Sequence, residues 1–236
     1  MPADAERRAK LLRAAAGAAF LALAVVVVLI VVNAASNGNS GDTELEEVAA
    51  ANAVFAGIPQ RETVLGDPSA PVKLFEFGDL QCPVCKAFSE EVVPPIIEKQ
   101  VKNGEASLTF RNFVIIGPES VDAGTAMLAA GEQGRGWNFL EIFYRNQGKE
   151  RSGYVTDEFL EAVAKAAGVK DLAAWNKARN SNRLREEVAK STGEAEAIGF
   201  TGTPSFAVEG PGTEGLESLG PVPSRETLEA AISSAS

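Results

Sequence analysis

The two cysteines of the chain are three positions apart, in the stretch Cys82-Pro83-Val84-Cys85. An apolar strand pattern ends just before this stretch, and a helical pattern begins at Cys82. If Cys82 caps that helix, the unpaired N–H groups and the partial positive charge of the helix N-terminus favour its thiolate over its thiol. Cys85 follows one turn later, near enough to close a disulfide with Cys82. The spacing therefore predicts thiol–disulfide chemistry with Cys82 as the nucleophile.

Other interpretations of the cysteine pair compete with this one. A CxxC pair can be half of a zinc site, but the chain has no histidine and no third cysteine, so carboxylates or a second subunit would have to complete the ligand set. An inert structural disulfide would stabilise little, because so short a loop removes little entropy from the unfolded chain. Two free, unreactive core cysteines are a further alternative. We favour the redox interpretation, with neither a metal nor a cofactor.

Composition sets broad limits on the fold and its partners. A chain of 236 residues that is 45% apolar can form one good-sized domain with appendages. Its net charge is −10, while residues 1–13 hold four basic and two acidic side chains, so the rest of the chain carries −12. Binding to phosphates needs clustered Lys and Arg, so this acidic body argues against a nucleic-acid partner.

The N-terminal region predicts a membrane anchor. Residues 14–32 contain no charged side chain and are long enough to cross a bilayer as a helix. Basic residues precede this run and acidic residues follow it, so residues 1–13 are expected in the cytoplasm and everything after Val32 outside the membrane. A cleaved signal is the alternative, but the run is longer than usual and Val32-Asn33-Ala34-Ala35-Ser36 is only a weak cleavage site. Residues 33–56 are expected to form a linker, in which residues 44–55 could be a short amphipathic helix.

The rest of the chain predicts an α/β fold with an inserted block of helices. Residues 57–119 show a strand, a helix interrupted at Pro94-Pro95, and a second strand at Ala106 to Ile116, which together indicate a parallel βαβ unit. Residues 120–198 have helical periodicity throughout, and their aromatic side chains are expected in the core. Residues 199–236 return to strands and end in a helix capped by Ser224. The charged residues Glu132, Arg135, Glu141 and Arg145 are spaced for ion pairs on the surface.

Three matched features make the chain resemble the DsbA-like branch of the thioredoxin superfamily, over about residues 60–235. They are Phe77-Gly78-Asp79-Leu80-Gln81-Cys82-Pro83-x-Cys85, an acidic Glu76 six positions before the first cysteine, and Gly202-Thr203-Pro204 far downstream. The resemblance implies a thioredoxin-like fold with a helical insertion. With its anchor, the chain is similar to the membrane-tethered thiol oxidases of Gram-positive and actinobacterial envelopes.

The resemblance also implies a role for each matched residue. Cys82 would be the exposed attacking thiol and Cys85 the buried resolving thiol, and the two would form the redox-active disulfide. Pro204 would be a cis-proline packed against that disulfide, and Thr203 would offer its backbone to an extended substrate segment. Glu76 would be a buried acid that relays the Cys85 proton, with a surface strand position as the alternative. Pro83 and Val84, between the cysteines, would also contact substrate.

The implied activity is disulfide formation in secreted or surface proteins. The electrons would pass to a quinone-linked membrane enzyme resembling DsbB or vitamin K epoxide reductase. Strong oxidases of the family commonly have histidine where this chain has Val84, so we expect a milder oxidant. Thr203 before the proline also occurs in isomerase relatives, which leaves an isomerase or reductase open. A membrane-tethered binding module without redox turnover is the alternative from another class.

Overall fold

A computed structural model of the chain describes residues 44–236. The expected cytoplasmic tail at residues 1–13, the expected transmembrane helix at residues 14–32 and residues 33–43 of the expected linker lie outside the described part. Within residues 44–236, none of the helices has the length and apolar character needed to cross a membrane.

A six-stranded sheet forms the centre of the described body, in the order β1-β2-β4-β3-β5-β6. Central strand β3 is parallel to β4 and antiparallel to β5, and the remaining pairs are antiparallel. The parallel pair is the predicted one. The strands are β1 Gln60–Arg61, β2 Val64–Leu65, β3 Val72–Gly78, β4 Ala106–Asn112, β5 Ser205–Glu209 and β6 Glu217–Pro221.

The helices of the described part cover the sheet. They are α1 Val48–Val54, α2 Pro83–Glu91, α3 Val93–Ile96, α4 Pro118–Gly131, α5 Gly136–Arg145, α6 Asp157–Ala166, α7 Leu172–Arg179, α8 Asn182–Ile198 and α9 Arg225–Ala235. A π-helical turn, Ile97–Val101, continues α3. The interruption between α2 and α3 falls at Val92, because Pro94 and Pro95 lack the N–H groups that would continue the hydrogen bonds of α2.

Helices α4 to α8 form the insertion between β4 and β5, as expected from the periodicity of residues 120–198. Its aromatic side chains are buried and pack on one another, as predicted: Trp137, Phe139, Phe143, Tyr144, Phe159 and Trp175. The hydroxyl of Thr156 caps α6 by accepting a hydrogen bond from the Phe159 N–H. Ser224 caps α9 in the same way, through the Thr227 N–H.

The segment before residue 57 contains the short helix that the sequence allowed, but this helix belongs to the folded body and not to a linker. Helix α1 packs on the body, with Ala51 and Phe55 buried and the Phe55 ring centroid 6.1 Å from that of Trp137. Asn52 donates a side-chain hydrogen bond to the Ala166 carbonyl at 3.0 Å. The physical reason is the apolar spacing of Val48, Ala51 and Phe55, which places all three on one helix face. The folded body therefore begins before residue 57.

Candidate active site

Cys82 lies at the N-cap of α2, immediately after the turn that leaves β3. Its sulfur accepts a hydrogen bond from the backbone N–H of Cys85 at 3.4 Å. Pro83 occupies the first turn of the helix, where a missing N–H costs nothing. The sequence therefore correctly predicted the cap that favours a thiolate at this position.

The Cys82 side chain is less open than expected, with the residue only 6% exposed. The reason is the loop before β5, since the carbonyl oxygen of Thr203 lies 3.5 Å from the Cys82 sulfur and covers it. Pro83 and Val84 are the exposed residues of this turn, and Val84 is 44% exposed. A substrate would thus reach the sulfur between residues 83–84 and the loop at Thr203.

The pKa of Cys82 is lowered to about 6. The largest cause is a hydrogen bond from the Cys85 side chain, and further bonds come from the Thr203 side chain and from the N–H groups of Cys85 and Val84, while burial acts in the opposite direction. Hydrogen bonds donated to a sulfur stabilise its charged form. Cys82 is therefore mainly a thiolate at neutral pH.

Cys85 has the opposite acidity. It is fully buried, and burial together with its interactions with Cys82 raises the pKa of its thiol well above the ordinary value. The two sulfurs are unbonded in the structure. One turn of helix thus holds a nucleophilic thiolate next to a thiol that keeps its proton.

The Thr203–Pro204 peptide bond is cis, as predicted. The loop around it is fixed by two hydrogen bonds, one from the Ser205 hydroxyl to the Gly202 carbonyl at 2.7 Å and one from the Val222 N–H to the Pro204 carbonyl at 2.9 Å. Apart from its interaction with Cys82, the buried Thr203 hydroxyl has no hydrogen-bond partner among residues 44–236. It is therefore available to donate to a Cys82 thiolate.

Glu76 is a buried residue of the central strand and not a surface residue, being 1% exposed. In the sheet it stands between Phe110 of β4 and Phe206 of β5. Burial and the nearby carboxylate of Glu141 raise the pKa of Glu76 to about 8. Its charge in turn is one of the causes that raise the pKa of Cys85. The structure therefore brings Glu76, Cys82, Cys85 and the Thr203–Pro204 loop together.

Asp79 organises the turn between β3 and α2, a role that the sequence analysis missed. Its buried carboxylate accepts hydrogen bonds from the N–H groups of Gln81, Ile115 and Ile116, each at 2.9 Å. Strand β4 ends at Asn112 and not at the predicted Ile116, because the N–H of Val114 bonds to the Thr192 hydroxyl and those of Ile115 and Ile116 bond to Asp79 instead of pairing in the sheet. An aspartate directly after a glycine at a strand end was the available signal.

Two residues of the helical insertion also reach the active-site turn. Gln147 donates from its amide to the carbonyls of Leu80 and Cys82, at 2.7 and 3.2 Å. Glu141 was expected in a surface ion pair, but it is only 3% exposed. It lies on the face of α5 that packs on α2, where the Ser89 hydroxyl donates to it at 2.6 Å. Only the tertiary packing of α5 reveals these roles.

Exposed apolar side chains surround the turn. Val84, Ile115 and Val222 are each exposed by more than two fifths. The backbone N–H of Ile115 bonds to Asp79 and that of Val222 bonds to Pro204, so both residues are tied to active-site segments. In the part of the chain that the structure describes, no group of three or more carboxylate or cysteine side chains could hold a metal ion.

Comparisons with known proteins agree with this geometry. Residues 59–220 match the family model described as Thioredoxin. The chain is 33% identical over 162 residues to a protein of Bacillus cereus named probable disulfide bond formation protein D, covering 67% of this chain and 74% of that protein.

Solved structures show the same fold. The crystal structure of oxidised BdbD from Bacillus subtilis has a TM-score of 0.64 at 21% identity, covering 75% of this chain and 96% of that one. The alpha-DsbA1 structure of Wolbachia pipientis has a TM-score of 0.63 at 22% identity, covering 73% and 89%. The chain belongs to the thioredoxin family and is a DsbA-like protein thiol:disulfide oxidoreductase.

Proposed function

We propose that the chain is a membrane-anchored, extracytoplasmic oxidase that forms disulfide bonds in secreted or surface proteins by exchange at Cys82 and Cys85. The observation that carries this proposal is the opposite acidity of the two thiols. Because the Cys82 thiolate is stabilised in the folded protein, the dithiol form is favoured over the disulfide. A protein that favours its own dithiol form oxidises the dithiols of others.

The exchange proceeds in two displacements. A substrate thiolate attacks the Cys82 sulfur of the Cys82–Cys85 disulfide, so a mixed disulfide forms and Cys85 leaves as a thiolate. A second substrate thiolate then attacks the substrate sulfur of the mixed disulfide and releases the Cys82 thiolate. Two electrons pass from the substrate dithiol to the cysteine pair. The buried Cys85 thiolate must take up a proton, and Glu76 is the acid placed to supply it.

Substrate recognition uses the backbone more than the side chains. An extended segment lying along the loop at Thr203 would add main-chain hydrogen bonds at the Cys82 sulfur, which select little sequence. Pro83, Val84, Ile115 and Val222 would provide apolar contacts around it. Such a surface suits unfolded or reduced proteins of many sequences.

The charge pattern of the N-terminal region supports the proposed location. The apolar run of residues 14–32, with basic residues before it and acidic residues after it, supports a single-pass anchor with the catalytic domain outside, where disulfides persist. Reoxidation would then fall to a quinone-linked membrane enzyme of the DsbB or vitamin K epoxide reductase kind. The mass of the protein extracted from membranes tests the anchor, and a mass reduced by the N-terminal segment would show a cleaved signal instead.

We further propose that the oxidant is milder than family members with histidine between the cysteines. Val84 has no side-chain donor for the Cys82 thiolate, so the helix terminus, Cys85 and Thr203 alone stabilise it. A glutathione redox titration tests this, and a potential as high as that of the histidine-containing members would contradict it. In intact cells, a mostly oxidised cysteine pair supports an oxidase, whereas a mostly reduced pair supports an isomerase or reductase.

The direct test of the activity is disulfide formation in reduced ribonuclease. Cys82→Ser should abolish it, because the variant cannot form the Cys82–Cys85 disulfide that a substrate thiolate attacks. Cys85→Ser is the matched variant. Its Cys82 thiolate can still attack a disulfide of oxidised ribonuclease and release one ribonuclease thiolate, and the resulting mixed disulfide should accumulate because Cys85 is no longer there to resolve it. Full activity in Cys82→Ser would reject the exchange mechanism. A Cys82 that alkylates no faster than free cysteine at neutral pH would favour the binding module.

A further inference from the structure

Gln147 joins the helical insertion to the turn that carries Cys82. It follows the C-terminal cap of α5, and its side-chain nitrogen donates to the Leu80 carbonyl at 2.7 Å and to the Cys82 carbonyl at 3.2 Å. The two acceptors lie on either side of Gln81, so one amide group spans the turn. These bonds therefore restrict the peptide units that lead from β3 into the N-cap of α2.

The backbone of Gln147 is itself fixed at the end of α5. Its N–H donates to the Tyr144 carbonyl at 3.1 Å. The neighbouring Asn146 donates from its side-chain amide to the Ile142 carbonyl at 2.8 Å and to the Glu46 carbonyl at 3.1 Å. The Gln147 side chain thus extends from an ordered backbone, so less conformational entropy is lost when it bonds to the turn.

The segment after Gln147 bonds to the same turn a second time. The backbone N–H of Arg151 donates to the Gln81 side-chain oxygen at 2.9 Å, and the Gln81 side-chain nitrogen donates to the Ser120 hydroxyl at 2.9 Å. Gln81 is only 1% exposed. The Arg151 Nε atom donates to the Ile116 carbonyl at 2.6 Å. The insertion therefore contacts the turn through both Gln147 and Arg151.

The donors and the acceptors of the turn have partners from different parts of the chain. The N–H groups of Gln81 and Cys82 donate to the side chain and the carbonyl of Asp79, at 2.9 and 3.0 Å. The carbonyls of Leu80 and Cys82 accept from Gln147. Asp79 adjoins the turn in sequence, whereas Gln147 is reached only through the fold. A buried carbonyl that loses its partner is costly, so removing the Gln147 amide should loosen the turn.

A fixed turn has different value in the two redox states. In the disulfide form, a covalent bond between Cys82 and Cys85 ties the turn to α2. The structure describes the dithiol form, in which the Cys82 sulfur stays at the N-cap, 3.4 Å from the Cys85 nitrogen, through non-covalent contacts. The hydrogen bonds of Gln147 should therefore stabilise the dithiol form more than the disulfide form.

We propose that Gln147 is a positioning residue for the exchange reaction, which stabilises the dithiol form of the cysteine pair by holding the Leu80 and Cys82 carbonyls. The inference rests on the proposed exchange at Cys82 and Cys85. In that reaction the protein disulfide takes two electrons and two protons from a substrate dithiol, whose two sulfurs become a disulfide. Stabilising the protein dithiol draws the reaction in this direction. The insertion thus makes the protein a stronger oxidant through bonds to carbonyls and not to a sulfur.

The experiment is the equilibrium of the full-length protein with glutathione. Two glutathione thiols reduce the protein disulfide to the dithiol and become glutathione disulfide, and the dithiol fraction is measured by thiol trapping and mass spectrometry. Gln147→Met keeps the length of the side chain but has no donor. The equilibrium constant for protein reduction should fall by about three- to tenfold, as expected for hydrogen bonds of ordinary net strength. A constant equal to that of the wild type would overturn the inference.

Gln133→Met is the matched control. Gln133 lies between α4 and α5, where its amide donates to the Asp171 carbonyl at 2.9 Å and accepts from the Lys170 N–H at 3.2 Å. The control loses backbone hydrogen bonds within the insertion but none to the turn. Its glutathione equilibrium should equal that of the wild type. If Gln133→Met shifted the equilibrium as much as Gln147→Met, general loosening of the insertion would be the cause and the inference would be wrong.

Urea unfolding of each redox form separates positioning from ordinary structural support. Gln147→Met should destabilise the reduced protein more than the oxidised protein, whereas Gln133→Met should destabilise both equally. Equal losses in Gln147→Met would contradict the inference. If Gln147→Met does not fold, Gln147→Asn replaces it, because its amide is too short to reach both carbonyls. Its equilibrium constant should fall as well, and an unchanged constant would count against the inference.

The inference and the proposed function can fail separately. A lowered constant in Gln147→Met supports the inference even if the wild type does not oxidise reduced ribonuclease, which would contradict the proposed function. An unchanged constant overturns the inference even if the wild type oxidises ribonuclease and Cys82→Ser does not.

Discussion

Cys82 and Cys85 carry the same side chain and lie one helical turn apart, but the fold lowers the pKa of the first thiol and raises the pKa of the second. The pKa of Cys82 lies near 6 and that of Cys85 well above its ordinary value, with Glu76 between them at about 8. This order gives each group one task. Cys82 leaves as a stable thiolate, Cys85 needs a proton when it leaves, and Glu76 is acidic enough to give that proton and basic enough to hold it at neutral pH.

Thr203→Val tests the hydroxyl as a donor to the Cys82 thiolate. Valine has nearly the same shape but cannot donate a hydrogen bond, so the pKa of Cys82 should rise by about half to one unit and its alkylation at pH 6 should slow accordingly. The measurement is the pH dependence of Cys82 alkylation, followed by mass spectrometry. Thr201→Val, at an exposed threonine of the same loop, should change nothing. Equal titration curves for Thr203→Val and the wild type would show that the Thr203 hydroxyl does not stabilise the Cys82 thiolate.

Glu76→Gln tests the buried acid through folding stability. The pKa of Glu76 is higher in the folded than in the unfolded protein, so the folded state binds more protons and its stability is lost as the pH rises from about 4.5 through about 8. Cys82 titrates with the opposite sign in an overlapping range, because its pKa is lowered by folding. The difference between the two proteins isolates Glu76. From pH 5 to pH 9 the wild type should lose about 2 to 4 kcal/mol of unfolding free energy relative to Glu76→Gln in urea titrations. If the difference in unfolding free energy between the wild type and Glu76→Gln did not change with pH, the pKa of Glu76 would not be raised by folding. That result would contradict its burial in an apolar site.

The sequence predicts site residues well where their signal is local. Cys82, Pro83 and Cys85 follow from helix capping, and Pro204 follows from a short motif. Asp79, Gln147 and Glu141 could not be assigned in this way, because their roles depend on which segments meet in the fold. Glu141 and Arg145 have the spacing of a surface ion pair, and only the packing of α5 on α2 shows that the carboxylate is buried.

At the scale of elements, the strands and helices near the cysteines follow the sequence closely. Periodicity indicates β3, the interrupted helix and the inserted helices, and prolines mark the interruption at Val92. The end of β4 was predicted too late, since side-chain acceptors such as Asp79 compete with strand pairing there. The sequence allowed a short helix at residues 44–55 but not its place in the folded body, because a short, alanine-rich helix gains its stability from tertiary packing and not from its own sequence.

Phe55→Ala tests the assignment of α1 to the folded body. Removing a buried phenylalanine that packs on Trp137 should lower the free energy of unfolding by about 3 kcal/mol. Ala53→Ser, on the exposed face of the same helix, should change it by less than about 0.5 kcal/mol. The free energy of unfolding of both variants is measured in urea. A Phe55→Ala protein as stable as the wild type would indicate that α1 is part of a linker and not of the folded body.

On the scale of the whole molecule, one sheet brings together residues that are far apart in the chain. Strand β3 carries Glu76 and leads to Cys82, while β5, more than one hundred residues later, follows the cis-proline loop and pairs with the same strand. The segment inserted between β4 and β5 contributes three hydrogen-bonding side chains. Glu141 bonds to Ser89 of α2, and Tyr144 and Gln147 bond to the carbonyls of Asp79 and Leu80. Thioredoxin-like topology therefore brings the site residues together, and the insertion adds hydrogen bonds to the backbone of the turn that leads to Cys82.

The titration of Cys82 is the measurement that tests the central claim most directly. The rate of its alkylation in the reduced wild-type protein, measured from pH 4 to pH 10 with the modified site identified by mass spectrometry, should follow a single ionisation with a midpoint near pH 6. A midpoint at about 8.5, the value of an unperturbed cysteine, would mean that the fold does not stabilise the thiolate, and the proposed oxidase mechanism would lose its chemical basis.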